Sequence, residues 1–504
     1  MTPSNLLTVL IAIPLAGSMV VYLVGRIIHL TPKGKPASSA GAWLALAILA
    51  LDLVPLIWLY PEVQQGNLVE ARIGSVMLRM DGVGMLVSAL TLVLGLIVGL
   101  FSISYMRGER GEEKYHAATL IMLVALIGLA NAGDLFNLWA WFELMAIASA
   151  MLVAFYRDQP GALEAGFKYL VQSAAGSVLV VLGIALVFTI TGSLNMDSIR
   201  FIVQGANPLL LVAGGLFVVG FGVKAALVPM HTWLPDAHSQ APSGISALLS
   251  GIVIEAGLIA MLRVLAAIAD VSNMWGVLLM AFGAANMLFG NLLALRQQQV
   301  KRLLAFSSIA QVGYMLAGFG MAFSFGNLNG AAGGYFHLLT HALMKSAAFL
   351  AAGGLLYGIH LSMGRHDSLV LDDLNGAARR YPITALVFSV AVLGLGGLPP
   401  MAGFMSKWQI MAAGFQSENT WMILLAVFIA LNSVLSLGYY APLVNRLYRR
   451  EMAPAVAQGA RLPASMTIPL VCLAVLIVAI GLFPSLANDL INPAAQSLTA
   501  TLAR

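Results

Sequence analysis

Gly220-Phe-Gly-Val-Lys224-Ala-Ala-Leu-Val-Pro229-Met-His231-Thr-Trp-Leu-Pro235-Asp236 begins as an apolar helix and then breaks beside a lysine. Proline lacks an N–H, so Pro229 frees the carbonyl of Ala225 four residues back, and Pro235 reinforces the interruption. The pattern recurs in Gly394-Leu-Gly396-Gly397-Leu-Pro399-Pro400-Met-Ala-Gly403-Phe-Met-Ser-Lys407. There Pro399 and Pro400 free the carbonyls of Leu395 and Gly396. In hydrocarbon such groups must face protein or water. Each break has a lysine within about two helical turns. Two broken helices at matching places in two halves point to internal repeats with a pathway between them.

The surroundings are those of a membrane protein. The chain has 504 residues, of which 60% are hydrophobic and 9% charged, against about 25% charged in a soluble domain. Fifty glycines suit closely packed membrane helices. Apolar runs fall at 4–24, 41–60, 83–105, 115–131, 133–155, 165–191, 208–230, 243–270, 273–295, 303–323, 331–358, 382–411, 421–448 and 466–488. Many reach the roughly 20 residues that cross a bilayer. The expected fold is therefore all-α and integral to the membrane, with about fourteen segments. Segments four to eight and nine to thirteen are the candidate repeats, pairing broken segment seven with broken segment twelve. This divides the chain into 1–114, 115–270, 271–450 and 451–504. The first run has no basic stretch before it and reads as a retained helix, not a cleaved signal.

The net charge of +5 does not indicate a nucleic-acid partner, because the basic residues sit in short loops and read as topology signals. Odd-numbered loops hold Arg26, Lys33, Lys35, Arg107, Arg110, Lys114, Arg157, Arg296, Lys301, Arg302, Arg365, Arg379, Arg380, Arg446, Arg449, Arg450 and Arg461. Even-numbered loops and the tails hold Arg72, Arg79, Arg200 and Arg504. The lone Cys472 excludes a disulfide framework and an iron–sulfur cluster held by this chain alone. No cofactor motif or nucleophile constellation is present. The glycines around Gly396 lie in apolar helix, without the strand a nucleotide loop requires.

Removing the loops leaves Asp52, Glu143, Lys168, Lys224, Glu255, Arg263, Lys345 and Lys407 inside the spans. Each costs about 2.5–3.5 kcal/mol at a helix centre. Glu143 and Lys224 are both placed to meet in mid-membrane. A lysine holds its proton while a carboxylate stands beside it and yields it when the carboxylate leaves, so such a pair is a proton switch. A static ion pair joining two helices is the competing reading. Segment eleven carries His337, His341 and Lys345 at spacings of four, on one helical face and about 12 Å end to end. Histidines suit proton hopping. A metal site is the rival, but the third group is a lysine and no H-E-x-x-H pattern occurs. Lys407 is either a relay end or a lysine snorkelling from its helix, and Lys168 is explained by snorkelling. Glu255 is either a relay stage or a structural partner of Arg263 or Lys345. Asp52 has no obvious partner.

The stretch Gly222-Val-Lys224 through Pro229, His231, Trp233, Pro235, Asp236 and His238 to Ala241-Pro242 and Ser246–Gly251 closely resembles the antiporter-like subunits of respiratory complex I. Mrp-type cation/proton antiporters and group 4 membrane-bound hydrogenases share that family. Val300-Lys301-Arg302 through Ser307, Ser308, Gln311, Gly313 and Tyr314 matches too, as do the His337/His341/Lys345 segment and Gly397 through Lys407. The resemblance runs from about residue 70 to 450. It implies fourteen core helices, two inverted five-helix repeats, broken helices seven and twelve, and a central hydrophilic axis. It also implies that Glu143 and Lys224 form the first switch, which the segment-eleven residues connect to Lys407; His231 and Glu255 are counted here as further relay candidates. Lysine at 407 resembles the Mrp D-type and complex I N-type more than the M-type. The long C-terminal extension of the largest members is not expected here. One position departs from the pattern: the family's Ser-Gly-x-x-x-Lys-x-Gly reads Ser250-Gly251-Ile-Val-Ile-Glu255-Ala-Gly257 here, with a carboxylate for a base.

The expected function is proton translocation within a multisubunit membrane complex of the complex I or hydrogenase kind. Other antiporter-like and small membrane subunits are the expected partners, without a cofactor or metal in this chain. A Mrp-type sodium/proton antiporter subunit without redox chemistry is the alternative. A non-conducting structural subunit is the alternative of another class. The expected site is a bacterial or archaeal cytoplasmic membrane. The loop asymmetry places both termini outside it, so reporters fused after Arg450 and after Arg504 should report opposite sides. A cytoplasmic carboxyl terminus would overturn this topology.

Overall fold

The structure is a computed structural model describing residues 2–30, 39–74, 76–361, 364 and 367–502. Of the loop charges used above, Lys33, Lys35, Arg365 and Arg504 lie outside the described residues. Among the described residues, twelve helices are long and apolar enough to span a membrane: Pro3–Ile28, Ala40–Gln64, Gly82–Tyr105, Glu112–Ala130, Leu135–Val153, Pro160–Thr191, Ser243–Ala267, Trp275–Ala294, Val300–Phe325, Leu328–Ile359, Thr420–Leu447 and Ala464–Leu482. Segments seven and twelve are each split. Helix Pro208–Lys224 is followed by Trp233–Gln240, and Pro382–Leu395 by Ala402–Gln416.

Local chemistry sets the helix ends. Asp81, Asp134, Asn207 and Asn327 accept N–H bonds from the first turns of segments three, five, seven and eleven. All four caps belong to even-numbered loops. Proline opens Pro160–Thr191, Pro208–Lys224 and Pro382–Leu395, where its missing N–H costs nothing. Segment eight contains a π-helical turn, Leu249–Val253, immediately before Glu255.

The all-α reading needs one addition. Strands Val69–Ile73 and Val76–Met80 form an antiparallel hairpin in the second loop, with Val69 opposite Met80. The hairpin reaches the fourth loop, where Arg79 N–H bonds Asn131 and Gly133 N–H bonds Met77. A final helix, Asn488–Leu502, lies against the start of segment three. Contacts among loops divide by parity. Arg79 pairs with Asp197, and Arg200 donates to the Ala500 carbonyl at 2.7 Å, joining even loops and the tail. Asp236 takes Arg302 at 2.5 Å and Lys168 at 3.2 Å, joining odd loops to the adjoining end of segment six.

Glycine lets the helices meet backbone to backbone. A Cβ at Gly283 would lie 2.8 Å from the Gly313 carbonyl, and one at Gly313 would lie 2.5 Å from the Gly283 carbonyl. Gly276 and Gly320 repeat this further along segments nine and ten. Gly176 and Gly220 do the same for segments six and seven, which carry Tyr169 and Lys224. Backbone cannot yield as a flexible side chain does, so Gly283→Ala should destabilise by about 1–3 kcal/mol. Gly215→Ala, where nothing lies within 4 Å of the added carbon, should be near neutral. The yield and thermal stability of detergent-solubilised protein measure both. Equal stability of the two variants would refute the close-packing account.

Candidate functional site

At the first break, helix Pro208–Lys224 ends on Lys224 itself. The following backbone is satisfied by Asn286 of segment nine. Its Oδ1 accepts from Val228 N–H at 2.8 Å, and its Nδ2 donates to the Ala226 carbonyl at 3.2 Å. Trp233 Nε1 donates to the Val223 carbonyl at 2.7 Å. Pro229 lies in the non-helical stretch, whereas Pro235 sits in the first turn of Trp233–Gln240, where no helical bond is lost.

Lys224 is fully buried. Its ammonium donates to the Tyr169 hydroxyl and stands 3.4 Å from Ser149 Oγ, and those two hydroxyls are 2.7 Å apart. Tyr169 stacks on Trp233 at 4.1 Å between ring centroids. Glu143 does not form an ion pair with Lys224 within 4.0 Å, so the pair stands open. Glu143 is half-buried, one of its oxygens is without a hydrogen-bond partner, and it lies on the stripe of exposed Phe136, Ala140, Ile147 and Met151.

The second break gathers its own ligands. The Leu395 carbonyl accepts Lys407 Nζ at 2.7 Å and Gln311 Nε2 at 3.1 Å. The Gly396 carbonyl accepts Ser433 Oγ at 2.9 Å, and Lys407 Nζ reaches the same hydroxyl at 3.1 Å. Lys407 is 2% exposed and stands 4.3 Å from the Tyr314 ring centroid. It therefore points inward and does not snorkel. The two carbonyls that proline frees are the ones these side chains satisfy.

Between the breaks, Glu255 Oε1 lies 2.6 Å from His341 Nδ1, with both side chains fully buried. The partners considered from sequence are engaged elsewhere. Arg263 grips both oxygens of Asp81, at 2.7 and 3.1 Å, and also the Ala130 carbonyl. Lys345 donates to the Leu304 carbonyl at 2.7 Å and to Ser307. One turn on from His341, His337 touches Ser406 Oγ through Nδ1 at 2.9 Å and Gln311 Oε1 through Nε2 at 3.0 Å. Because the Gln311 amide nitrogen already donates to Leu395, its oxygen faces the histidine. His337 Nε2 therefore carries a proton. The His337 and His341 ring centroids are 6.3 Å apart. On the other flank, a Cβ at Gly257 would lie 2.9 Å from Lys224 Cβ, so segment eight touches the Lys224 backbone two residues beyond Glu255.

Glu255, His341, His337 and Lys407 thus form one buried row, in which His337 and Lys407 are joined through Gln311 and the Leu395 carbonyl, and Lys345 lies one turn beyond His341. His231 is half-buried, near Phe306, and not joined to it. Lys168 pairs with Glu164 and Asp236 at the surface. Asp52 is buried in segment two with both oxygens unpartnered among the described residues. Sequence reasoning missed Tyr169, Ser149, Ser406 and Ser433 as participants. Gln311 and Tyr314 carried a signal, as polar residues in an apolar helix within a recognised motif.

Residues 132–436 match the family model described as NADH:quinone oxidoreductase/Mrp antiporter, TM. Subunit N of the F(420)H(2) dehydrogenase of Methanosarcina mazei is 34% identical over 445 residues, covering 86% of this chain and 87% of that one. The NADH-quinone oxidoreductase subunit N of Desulforudis audaxviator is 31% identical over 408 residues, covering 77% and 78%. Among solved structures, a chain of an archaeal respiratory complex, the membrane-bound sulfane sulfur reductase, superposes with a TM-score of 0.87. It is 29% identical and covers 99% of each chain. The broken helices, the buried row and these likenesses agree: the chain is a multi-pass integral membrane protein of the NADH:quinone oxidoreductase/Mrp antiporter transmembrane family.

Proposed function

We propose that this chain conducts protons as the membrane subunit of a redox-driven complex, through a row running from Lys224 by way of Glu255, His341 and His337 to Lys407. The continuity from Glu255 to Lys407 carries this reading: each neighbour is bonded, linked through a shared side chain or carbonyl, or one helical turn away. The open Glu143–Lys224 arrangement corresponds to the releasing half of the switch. A proton leaving Lys224 passes to the Glu255–His341 pair, whose segment packs on the Lys224 backbone at Gly257. Transfer between the imidazoles then brings the proton to His337, which shares Gln311 and the Leu395 carbonyl with Lys407.

The carboxylates near this row are Glu143 and Glu255, while the remaining ionisable groups are bases. Such a set suits protons and repels a bare sodium ion. A complex is supported by Glu143 itself, since a carboxylate on an outward stripe needs a neighbouring subunit to shield it from lipid. The relatives' oxidoreductase names favour a redox drive. The location proposed is the cytoplasmic membrane of a bacterium or archaeon, with the odd loops inside.

In assembled complex reconstituted into liposomes, Glu143→Gln and Lys224→Ala should each lower proton pumping by about a hundredfold. Pumping at the parental rate in either variant would remove that residue from the relay. Glu255→Gln keeps a hydrogen-bonding side chain beside His341 but removes the titrating oxygen. It should lower pumping by about the same factor, and full pumping would remove Glu255 from the relay.

A further inference from the structure

Ser149, Tyr169 and Lys224 come from segments five, six and seven, and all three are fully buried. Their bonds fix where the hydrogens lie. Ser149 Oγ is 2.7 Å from the Met145 carbonyl and 3.1 Å from the Ala146 carbonyl, which only accept, so the single serine proton is spent there. The 2.7 Å contact between Ser149 and Tyr169 therefore takes its proton from Tyr169. Were the tyrosine proton turned to Lys224 instead, two oxygens would face each other at that distance with no hydrogen between them. The Tyr169 oxygen is thus left to accept, and Lys224 Nζ donates to it.

Donation therefore runs one way, from Lys224 to Tyr169, to Ser149 and on to the segment-five backbone. Neighbouring contacts hold these groups still. Tyr169 stacks on Trp233 at an interplanar angle of 12°, and Trp233 is tied to the carbonyl of Val223, one residue before Lys224. A Cβ at Gly176 would lie 2.7 Å from the Gly220 carbonyl, and one at Gly166 would lie 2.6 Å from Ala154 Cβ, so segment six is pressed against both neighbours. Ser149 stands six residues beyond Glu143 on segment five, about 9 Å along the axis. Lys224 thus has two oxygen stations, the Glu143 carboxylate and the hydroxyl pair of Tyr169 and Ser149, and it occupies the second.

We infer that Tyr169, oriented by Ser149, is a positioning residue that competes with Glu143 for the Lys224 ammonium and so holds the switch open. The inference rests on the proton-conducting reading above. No covalent bond changes in this step: the ammonium exchanges a carboxylate oxygen for a phenolic one. A neutral oxygen holds a cation less firmly than a carboxylate does, so the lysine stays in place yet is able to yield its proton. The amine that remains keeps two N–H groups. It donates one to Tyr169 as before and leaves its lone pair open for the next proton.

The test uses the assembled complex in proteoliposomes, with proton flux followed by a pH-sensitive dye. Tyr169→Phe keeps the ring and its stack on Trp233 but removes the accepting oxygen. Occupancy of the open arrangement, and flux with it, should fall about tenfold. A lipid-soluble carbodiimide, added without other amines, reports where the lysine lies. It condenses the Glu143 carboxyl with the Lys224 amine to an amide and takes up the water as its urea. The joined peptides, counted by mass spectrometry, should rise about threefold or more in Tyr169→Phe and be missing from Glu143→Gln. Ser149→Ala should move flux and cross-link in the same directions, and Ser149→Thr, which keeps the hydroxyl, should restore both. Reduced flux without added cross-link would make Tyr169 merely structural and overturn the inference, as would parental values of both. If Tyr169→Phe does not assemble, the two Ser149 variants decide by the same readings. Parental flux in Lys224→Ala would instead remove the proton-conducting reading, and this inference with it.

Discussion

A backbone carbonyl released in hydrocarbon must find a donor, and this requirement organises the centre of the molecule. The proline pair of segment twelve releases Leu395 and Gly396, and the donors that answer are Lys407, Gln311 and Ser433. Gln311 thereby turns its oxygen to His337, which fixes the histidine's proton and its orientation. The break is thus the anchor from which the second half of the row is aligned. At the first break, Asn286 and Trp233 satisfy the backbone, leaving the Lys224 ammonium to hydroxyls.

Charges are treated differently at the centre and near the ends of the helices. Arg263 is held by both oxygens of Asp81, and Arg302 and Lys168 share Asp236. Those pairs are fixed and read as structural. Lys224, Lys345 and Lys407 have no carboxylate within 4.0 Å among the described residues and lean on hydroxyls and carbonyls. A buried charge without a permanent counter-ion is poorly stabilised, and one carrying a proton can lose it without breaking an ion pair. Burial without a fixed carboxylate partner sets Lys224, Lys345 and Lys407 apart from the paired cations.

Glu255 shows how a reversed sign can be accommodated. A carboxylate stands where the sequence departs from the pattern it resembles, and its partner is His341, itself part of the recognised segment-eleven motif. Glutamate beside imidazole forms a unit that can shift a proton internally. The π-helical turn before Glu255 belongs to the same region, where Ser250 meets Ser308 at 2.6 Å.

Much of the architecture was legible in the sequence because hydrocarbon permits few solutions. Run lengths marked the fourteen segments, prolines 229, 399 and 400 marked the breaks, and spacings of four put His337, His341 and Lys345 on one face. The Val69–Met80 hairpin and the Asn488–Leu502 helix escaped notice, since their signals are short beside such strong apolar runs. What sequence could not decide was which charge meets which. Glu255 and Arg263 share a helix, yet each finds its partner elsewhere in the chain, and Lys407 turns inward although its position also allowed snorkelling. Spacing along one helix fixes only the face on which a side chain stands. Its neighbour is chosen by how the helices approach, and here glycine contacts such as Gly283–Gly313 and Gly176–Gly220 set that approach between residues distant in sequence but adjacent in space.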